Sequence, residues 1–188
     1  LIIDNFVYVS GGFDFTKEDT PQSVTLTDNT TKSVNVLKVG AGNVNAFVGV
    51  GDPDSNDDGI FDQNDDPESN GAIGLVINDL DFGLALFKPV AVADTSSYYA
   101  LAANAAGIGL IGVPGVILGV ENLHVAVNGS SAPNTSGVTQ TGPPPAVINF
   151  LATYPADPGP PIVPAGLPVA TGPTSDPKIE TISPGATG

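Results

Sequence analysis

The chain has 188 residues, of which 20 are acidic and 5 basic, so its formal net charge is −15, and it contains no Cys. So few positive charges cannot form a face for nucleic acid or for an anionic membrane, and a disulfide framework or thiol nucleophile is excluded. No apolar run is long enough to span a bilayer, so no membrane insertion is expected. Because the sequence contains no Met, we expect a processed product or part of a longer protein, with any export signal outside these residues.

The first fifty residues are patterned as short β-strands. Aromatic residues are spaced by two at Phe6 and Tyr8 and again, after two glycines, at Phe13 and Phe15, which favours a strand. Two β-rich runs at residues 23–27 and 33–39 flank a polar turn, so they predict a hairpin. Residues 43–50 form a further strand-like run that leads into an acidic stretch.

That stretch, residues 52–68, holds eight of the acidic residues and no basic one. Carboxylates at this density repel one another unless a cation neutralises them. The run from Asp54 to Gly59 fits the pattern D-x-[DN]-x-[DN]-G, which begins a calcium loop of the EF-hand type. The predicted calcium ligands, at loop positions 1, 3, 5, 7, 9 and 12, are Asp54, Asn56, Asp58, the Ile60 carbonyl, Asp62 and Asp65.

The loop departs from a sensor EF-hand in two ways. Asp65 stands where the motif has Glu, and the flanking segments are strand-like rather than helical. The sequence therefore predicts a calcium loop set between two β-strands, bound through oxygen donors alone. The alternative is a solvated acidic turn rich in Asp, Asn and Gly.

Alternation resumes after the loop. Residues 72–77 and 80–87 read as strands, with leucines and Phe82 on a face that we expect to belong to the core. Residues 97–104, 107–113, 116–120 and 123–127 continue the pattern. A helix over residues 99–111 is the alternative, but the nearby glycines and the lack of a charged outer face disfavour it.

The composition changes near residue 128 and becomes rich in proline from residue 143 onwards. We expect a β-domain over residues 1–142 and an extended tail over residues 143–188, with short strands at residues 147–151 and 178–182. The apolar residues of the tail predict that it lies along another part of the protein.

Several short segments together resemble the repeated module of very large bacterial calcium-binding surface proteins. The similarity spans roughly residues 4–150, and its motifs lie at residues 6–15, 43–49, 84–86, 99–101, 112–116 and 122–128. The resemblance implies an exported, acidic β-module of a surface protein, and it supplies no enzymatic residues.

Few residues suggest catalysis. The single His, His124, alternates with Leu123 and Val125, which indicates a solvent-facing strand position rather than a ligand or general base. Asp79 and Asp81 have the spacing of two residues on one strand face, so they mark its polar side more simply than a glycosidase pair. The glycine-rich segments lack the Lys of a phosphate loop.

Three sequons lie in segments predicted as turns, at Asn29, Asn128 and Asn134, and each is a possible glycosylation site.

These observations predict an all-β protein, an antiparallel sandwich or strongly curved sheet, with a β-solenoid as the alternative. The expected function is non-enzymatic: a structural module or subunit of an extracellular surface assembly or filament, stabilised by calcium. We expect its terminal strands to pair with copies of itself or with neighbouring modules. The competing function is an adhesin or carbohydrate-binding module, which requires exposed aromatics such as Tyr98, Tyr99 and Tyr154.

Overall fold

The structure, a computed structural model, describes residues 1–131, 145–172 and 179–183. Over these residues the chain is mostly antiparallel β-structure with almost no helix, in an open sheet consistent with an all-β sandwich. The pairings of the described strands are all antiparallel, so the chain does not form the alternative β-solenoid.

Seven strands form the main sheet. They are β1 (Ile2–Ile3), β2 (Val7–Lys17), β3 (Gln22–Thr25), β4 (Thr31–Val50), β5 (Ile73–Pro89), β6 (Ser97–Ile111) and β7 (Leu118–Ser131). Their order is β1-β2-β4-β5-β6-β7, and β3 pairs with the beginning of β4. The hairpin, the strands flanking the acidic loop and the strand in place of a helix near residue 100 are thereby confirmed.

A second layer covers one face of this sheet. It contains the short helix α1 (Phe150–Thr153) and a hairpin of β8 (Leu167–Ala170) with β9 (Ile179–Ile182). The predicted strand at residues 147–151 is wrong, because only Ile148 makes a β-bridge before Asn149 caps α1. Within the segment predicted at residues 178–182, Ile179–Ile182 form β9. Of the apolar residues in the tail, Leu167 and Val169 are buried against the sheet, whereas Ile162 and Val163 are exposed.

The covered face of the sheet carries a hydrophobic core beneath this layer. Val36, Phe87 and Tyr98 are cross-strand neighbours on it and are almost fully buried. Phe150 packs edge-on against Phe87 with ring centroids 6.5 Å apart. Burial of such side chains is the main source of stability of the fold.

Small residues let the second layer approach closely. A Cβ atom on Gly40 would lie 1.9 Å from the carbonyl oxygen of Ala170, and one on Gly83 would lie 3.1 Å from Val169. The face of β5 that contains Gly83, Ala85 and Phe87 is therefore the buried one. The prediction that the opposite face, with Leu84, belongs to the core is wrong, because the Gly and Ala side permits closer packing.

That opposite face, which we call the open face, is apolar across the whole sheet. The second layer packs on the covered face, and the open face keeps partly exposed side chains such as Leu86 and Leu75. Two cross-strand rows define it: Phe15, Val39, Leu84, Leu101 and Val127 above, and Val48, Leu75, Leu110 and Leu118 below.

A row of irregular residues crosses the sheet between these two halves. Gly11, Asn43, Asp79 and Asn122 have positive φ angles and lie at interruptions of the pairing between neighbouring strands. Such bulges add a residue to the strand and reverse the face on which later side chains lie. In β5 the buried residues are accordingly even-numbered at Val76 and odd-numbered from Gly83 onwards.

Polar side chains hold this bulge row together. The Asn43 amide donates to Asp81 Oδ1 at 2.8 Å, and the Asp79 amide donates to Asn45 Oδ1 at 3.0 Å. Asn45 is itself buried. The two central strands are thus linked at their bulges through side chains as well as through the main chain.

Candidate metal centre

The acidic loop, residues 51–72, connects β4 to β5 and folds over the lower part of the covered face. Phe61 of the loop is buried and packs edge-on against Phe47, with ring centroids 6.2 Å apart. Ser10 Oγ donates to the Phe61 carbonyl oxygen from the neighbouring strand β2. A second core of Tyr8, Phe47, Phe61, Ala72 and Val76 results, so the loop is anchored by its apolar residues.

Asp54 lies at the beginning of the loop and is only 8% exposed. Its carboxylate accepts hydrogen bonds from the main-chain amides of Asp58, at 3.2 Å, and Gly59, at 2.7 Å. These bonds draw the segment between positions 1 and 6 of the motif into a tight turn around one carboxylate.

Asp65 closes the loop from its other end. Its Oδ1 accepts from the amide of Ser55 at 2.8 Å, and its Oδ2 accepts from the amide of Asp62 at 2.8 Å. The residue predicted at position 12 is therefore in contact with the beginning of the motif and with position 9, despite being the shorter Asp rather than Glu.

The remaining side-chain ligands make local turns. Asn56 Oδ1 accepts from the Asp58 amide, Asp58 Oδ1 from the Ile60 amide and Asp62 Oδ1 from the Asn64 amide. Carboxylate and amide oxygens that bond two residues ahead are typical of Asx turns. These bonds hold Asn56, Asp58 and Asp62 each against the backbone two residues ahead.

The backbone of the loop uses two left-handed residues. Gly59 has a φ of 86° and Asp57 a φ of 58°. Glycine tolerates this conformation without steric cost, which is the role predicted for position 6 of the motif.

The chemistry of the donors suits calcium, because carboxylate and amide oxygens are hard ligands. Among the described residues, however, no group of three or more His, Cys, Asp or Glu side chains is placed so that it could hold one metal ion. The carboxylates bond main-chain amides instead. Calcium binding would therefore require Asp54, Asp58, Asp62 and Asp65 to draw closer together.

The negative charge of the loop reaches the core beneath it. Burial, together with the charges of Asp52 and Asp54, raises the pKa of the Tyr8 phenol. At the far side of the loop, Glu68 Oε1 accepts from the Gly112 amide at 3.2 Å, which joins the loop to the β6–β7 connection.

The other chemistry-bearing residues have structural environments. His124 is exposed on β7, as predicted, and its Nδ1 lies 2.6 Å from Asn104 Oδ1. Asp79 belongs to the bulge row, and Asp81, two positions later, accepts a hydrogen bond from the main-chain amide of Asn43. The sequence could not show that Asp79 lies in a bulge, because any Asp or Asn in the chain is equally able to adopt a positive φ.

The three sequons fare differently. Asn29 is exposed in the turn between β3 and β4, as predicted. The turn predicted at Asn128 is wrong, because this residue lies within β7 and its Nδ2, the atom that a glycan would modify, donates to the Ile148 carbonyl. Asn134 lies outside the described residues.

Two of the three tyrosines considered for ligand binding are in the core. Tyr98 is buried. Tyr154 packs on Phe150, with centroids 5.9 Å apart, and burial raises its pKa to about 12. Tyr99 is 41% exposed on the open face. The described residues thus lack the row formed by all three that a carbohydrate-binding surface would need.

Comparisons of the chain with family models, with curated proteins and with solved structures find no match. Among the described residues, no helix has the length and apolar character needed to cross a membrane.

Proposed function

We propose that the chain is a non-enzymatic structural module or subunit of an extracellular surface assembly or filament, stabilised by calcium and joined to copies of itself or to neighbouring modules by strand pairing. The observation that carries this proposal is the open sheet with two unpaired outer edges. Among the described strands, β1 and β7 each have one neighbour.

These edges are unusual for a protein that remains alone. β7 has 14 residues, and β1 covers only Val7 and Tyr8 of the longer strand β2. A long, exposed edge is a template for another strand. The bulges at Gly11 and Asn122 interrupt these edges at one level only and leave regular strand on either side. Ile2 and Ile3 at one edge and Leu118 at the other are half exposed or more.

Strand addition between the β1–β2 edge of one copy and the β7 edge of the next would be heterologous, and such contacts grow into open filaments. This geometry supports an assembly or a chain of modules.

Calcium enters the proposal through the acidic loop. Asp54, Asn56, Asp58, the Ile60 carbonyl, Asp62 and Asp65 would hold the ion, which would supply positive charge to a loop with eight carboxylates. A site whose ligands must first draw together suits the weak affinity of extracellular calcium modules, about 0.1–1 mM. Bound calcium would stabilise the second core, because it binds the folded loop alone.

Light scattering and electron microscopy of the full chain, with calcium and with chelator, test the proposal. We expect open-ended polymers that grow with protein concentration, and a variant lacking residues 1–5 should not polymerise. Calorimetric calcium titration of that variant should match the full chain, because the acidic loop is untouched. Polymer growth that is unaffected by the deletion, or no assembly beyond a closed dimer at any concentration, would contradict strand pairing through the terminal segment.

A further inference from the structure

The open face is a continuous apolar surface. Leu75, Leu86 and Tyr99 are 42%, 39% and 41% exposed, and Leu118 is 64% exposed. Large apolar patches of this kind on a protein surface mark interaction sites. Apolar residues lie on both faces of the strands, as they do in strands that are covered on both sides.

Charge is confined to one end of the open face. Lys17, Lys88 and Asn35 surround a groove of about 440 Å³ whose floor includes Leu37, Leu86 and Tyr99. Leu37 pairs with both Lys17 and Leu86, so these residues share the open face. We call this part of the sheet, where β2 and β5 end, the lysine end.

The two ends of the sheet differ in charge. Lys17, Lys32, Lys38 and Lys88 lie towards the lysine end, where Lys32 pairs with Asp94 and Lys38 with Glu18. Lys88 donates to the carbonyl oxygens of Thr95 and Ser96 and pairs with no carboxylate of the described residues. The acidic loop, with its eight carboxylates, lies at the opposite end, on the covered face. Glu18, Asp28 and Asp94 lie near the lysines, so the lysine end is close to neutral and the opposite end is strongly negative.

The size of the face matches a stable interface. Five long strands spaced about 4.8 Å apart, with about 12 residues each at about 3.3 Å, cover roughly 24 by 40 Å, or about 950 Å². A standard protein interface buries about 800 Å² on each partner. Two stacked sheets pack about 10 Å apart with interdigitating side chains.

We propose that the open face binds the open face of a second copy, with the strands of the two copies running in opposite directions. A two-fold axis in the plane of the interface and perpendicular to the strands places the lysine end of each copy beside the acidic end of its partner. The same surface is then used twice, as in an isologous dimer. The apolar area supplies affinity. The antiparallel orientation places the two acidic loops at opposite ends of the dimer, whereas the parallel one would bring their like charges to the same end.

This inference adds a second surface to the self-association of the proposed function, but it does not depend on the terminal strands. Face-to-face packing is closed at two copies, whereas strand addition at the edges is open-ended. The two therefore fail separately: dimers without polymers would contradict the edge pairing alone, and polymers built from single copies would contradict the face pairing alone.

The first test is the oligomeric state of the variant that lacks residues 1–5, which serves as the parent and is measured by sedimentation over a wide concentration range. Leu86→Glu on the open face should raise the dimer dissociation constant by about 100-fold or more, because the carboxylate would be buried without a partner. Phe15→Glu is a second variant. Because Phe15 is 71% exposed on β2, this substitution is less disruptive to folding.

Ile162→Glu is the matched control. Ile162 is an exposed apolar residue in the connection between α1 and β8, and the substitution adds the same charge. It should leave the dimer unchanged. Circular dichroism must show that each variant keeps its β-structure. A parent that remains monomeric at all concentrations overturns the proposal, and so does a dimer that Leu86→Glu and Phe15→Glu weaken no more than Ile162→Glu does.

The second test is the orientation. The chain has no Cys, so Lys88→Cys provides a single site for a spin label in each copy. In the antiparallel dimer the two labels lie at opposite ends of the strands, about 40 Å apart. A label separation below about 25 Å would mean that the lysine ends lie together, and it would overturn the antiparallel arrangement.

Discussion

Asp57 and Asp58 are adjacent in the acidic loop, but only Asp58 lies at a predicted ligand position. We expect Asp58→Asn to weaken calcium binding about tenfold or more, a loss of roughly 1.4 kcal/mol. Asp57→Asn removes the same charge and keeps a residue type that tolerates the positive φ at this position, so it should change the affinity much less. Calorimetric titration of both variants measures the difference. Equal losses would mean that the loop attracts calcium through its total charge rather than through specific ligands.

Glu180 of β9 is a second residue whose ionisation affects the fold. Its Oε1 accepts from Asn104 Nδ2 at 3.1 Å, and burial, together with the charge of Asp81, raises its pKa. His124, which bonds Asn104, acts in the opposite direction. A raised pKa means that the folded state holds a proton more tightly than the unfolded state, so stability falls as pH rises from about 4.3, the ordinary Glu value, through the folded pKa.

Glu180→Gln keeps the hydrogen-bond acceptor and removes the charge. We expect the variant to be more stable than the parent at pH 7 and equal to it below about pH 4, where Glu180 is protonated in both states. Urea unfolding between these pH values measures the effect.

Asp94→Asn is the opposite case, because the hydrogen bond from Lys32 and those from Ser96 lower the Asp94 pKa to about 2. Its stability loss should be present above about pH 4 and fade as the pH falls towards 2. The same pH dependence in both variants would contradict these assignments.

At the scale of elements, the contact between β4 and β8 depends on the absence of a side chain. Gly40→Ala would place a Cβ atom 1.9 Å from the Ala170 carbonyl oxygen, so β8 must move away from the sheet. We expect a loss of about 1–3 kcal/mol in unfolding free energy, as for other overpacked sites. Gly107→Ala is the control within β6, since its Cβ would meet atoms no nearer than 3.8 Å.

Denaturant unfolding of both variants decides this. Gly107→Ala should be neutral or slightly stabilising, because it reduces the freedom of the unfolded chain. If Gly40→Ala were as mild as Gly107→Ala, the second layer would not lie as close to β4 as described.

The sequence predicted the positions of the strands along the chain better than it predicted their faces. Alternation located β2, β4, β5 and β6 because each strand carries apolar residues at every second position. It assigned the core to the larger side chains of β5, such as Leu84, whereas the second layer packs on Gly83 and Ala85. A Gly or Ala indicates close packing only when the segment that packs against it is known. Here that segment is β8, in the proline-rich region more than 80 positions later in the chain.

The candidate metal centre was located by sequence through its spacing, since each predicted ligand has a fixed offset from Gly59. Spacing specifies which oxygens are near one another along the loop but not how far each side chain turns towards a common centre. In the structure the carboxylates are bonded to main-chain amides, for example Asp65 to Ser55. Those bonds compete with a cation, and residue types alone do not decide between them.

At the scale of the whole molecule, the two hydrophobic cores lie on one face but on opposite sides of the bulge row. One is covered by the second layer and the other by the acidic loop. Because the loop alone covers the lower core, we expect chelation of calcium to affect the two unevenly. Amide hydrogen exchange should accelerate at Phe47 and Val76 and stay unchanged at Val36 and Phe87.

The variant Asp58→Asn should reproduce this pattern in the presence of calcium, which separates an effect of the site from a general effect of the chelator. Uniform acceleration across both cores would show that the sheet responds as one cooperative unit. No acceleration anywhere would show that the loop holds its core without the ion.

The row of bulges also bears on how the strands find one another during folding. Strands with apolar residues on both faces have little to distinguish one alignment from its neighbour, so slippage by one position costs them less than it costs an amphipathic strand. Here each long strand carries an irregular residue at one level, and Asn43, Asp79 and Asn122 can align only when the flanking strands are in step. A slipped strand would set a left-handed residue against a regular pair and leave the Asn45 and Asp81 hydrogen bonds unmade. The bulges therefore fix the register between neighbouring strands, and they leave this apolar, repetitive sheet only one way to pair.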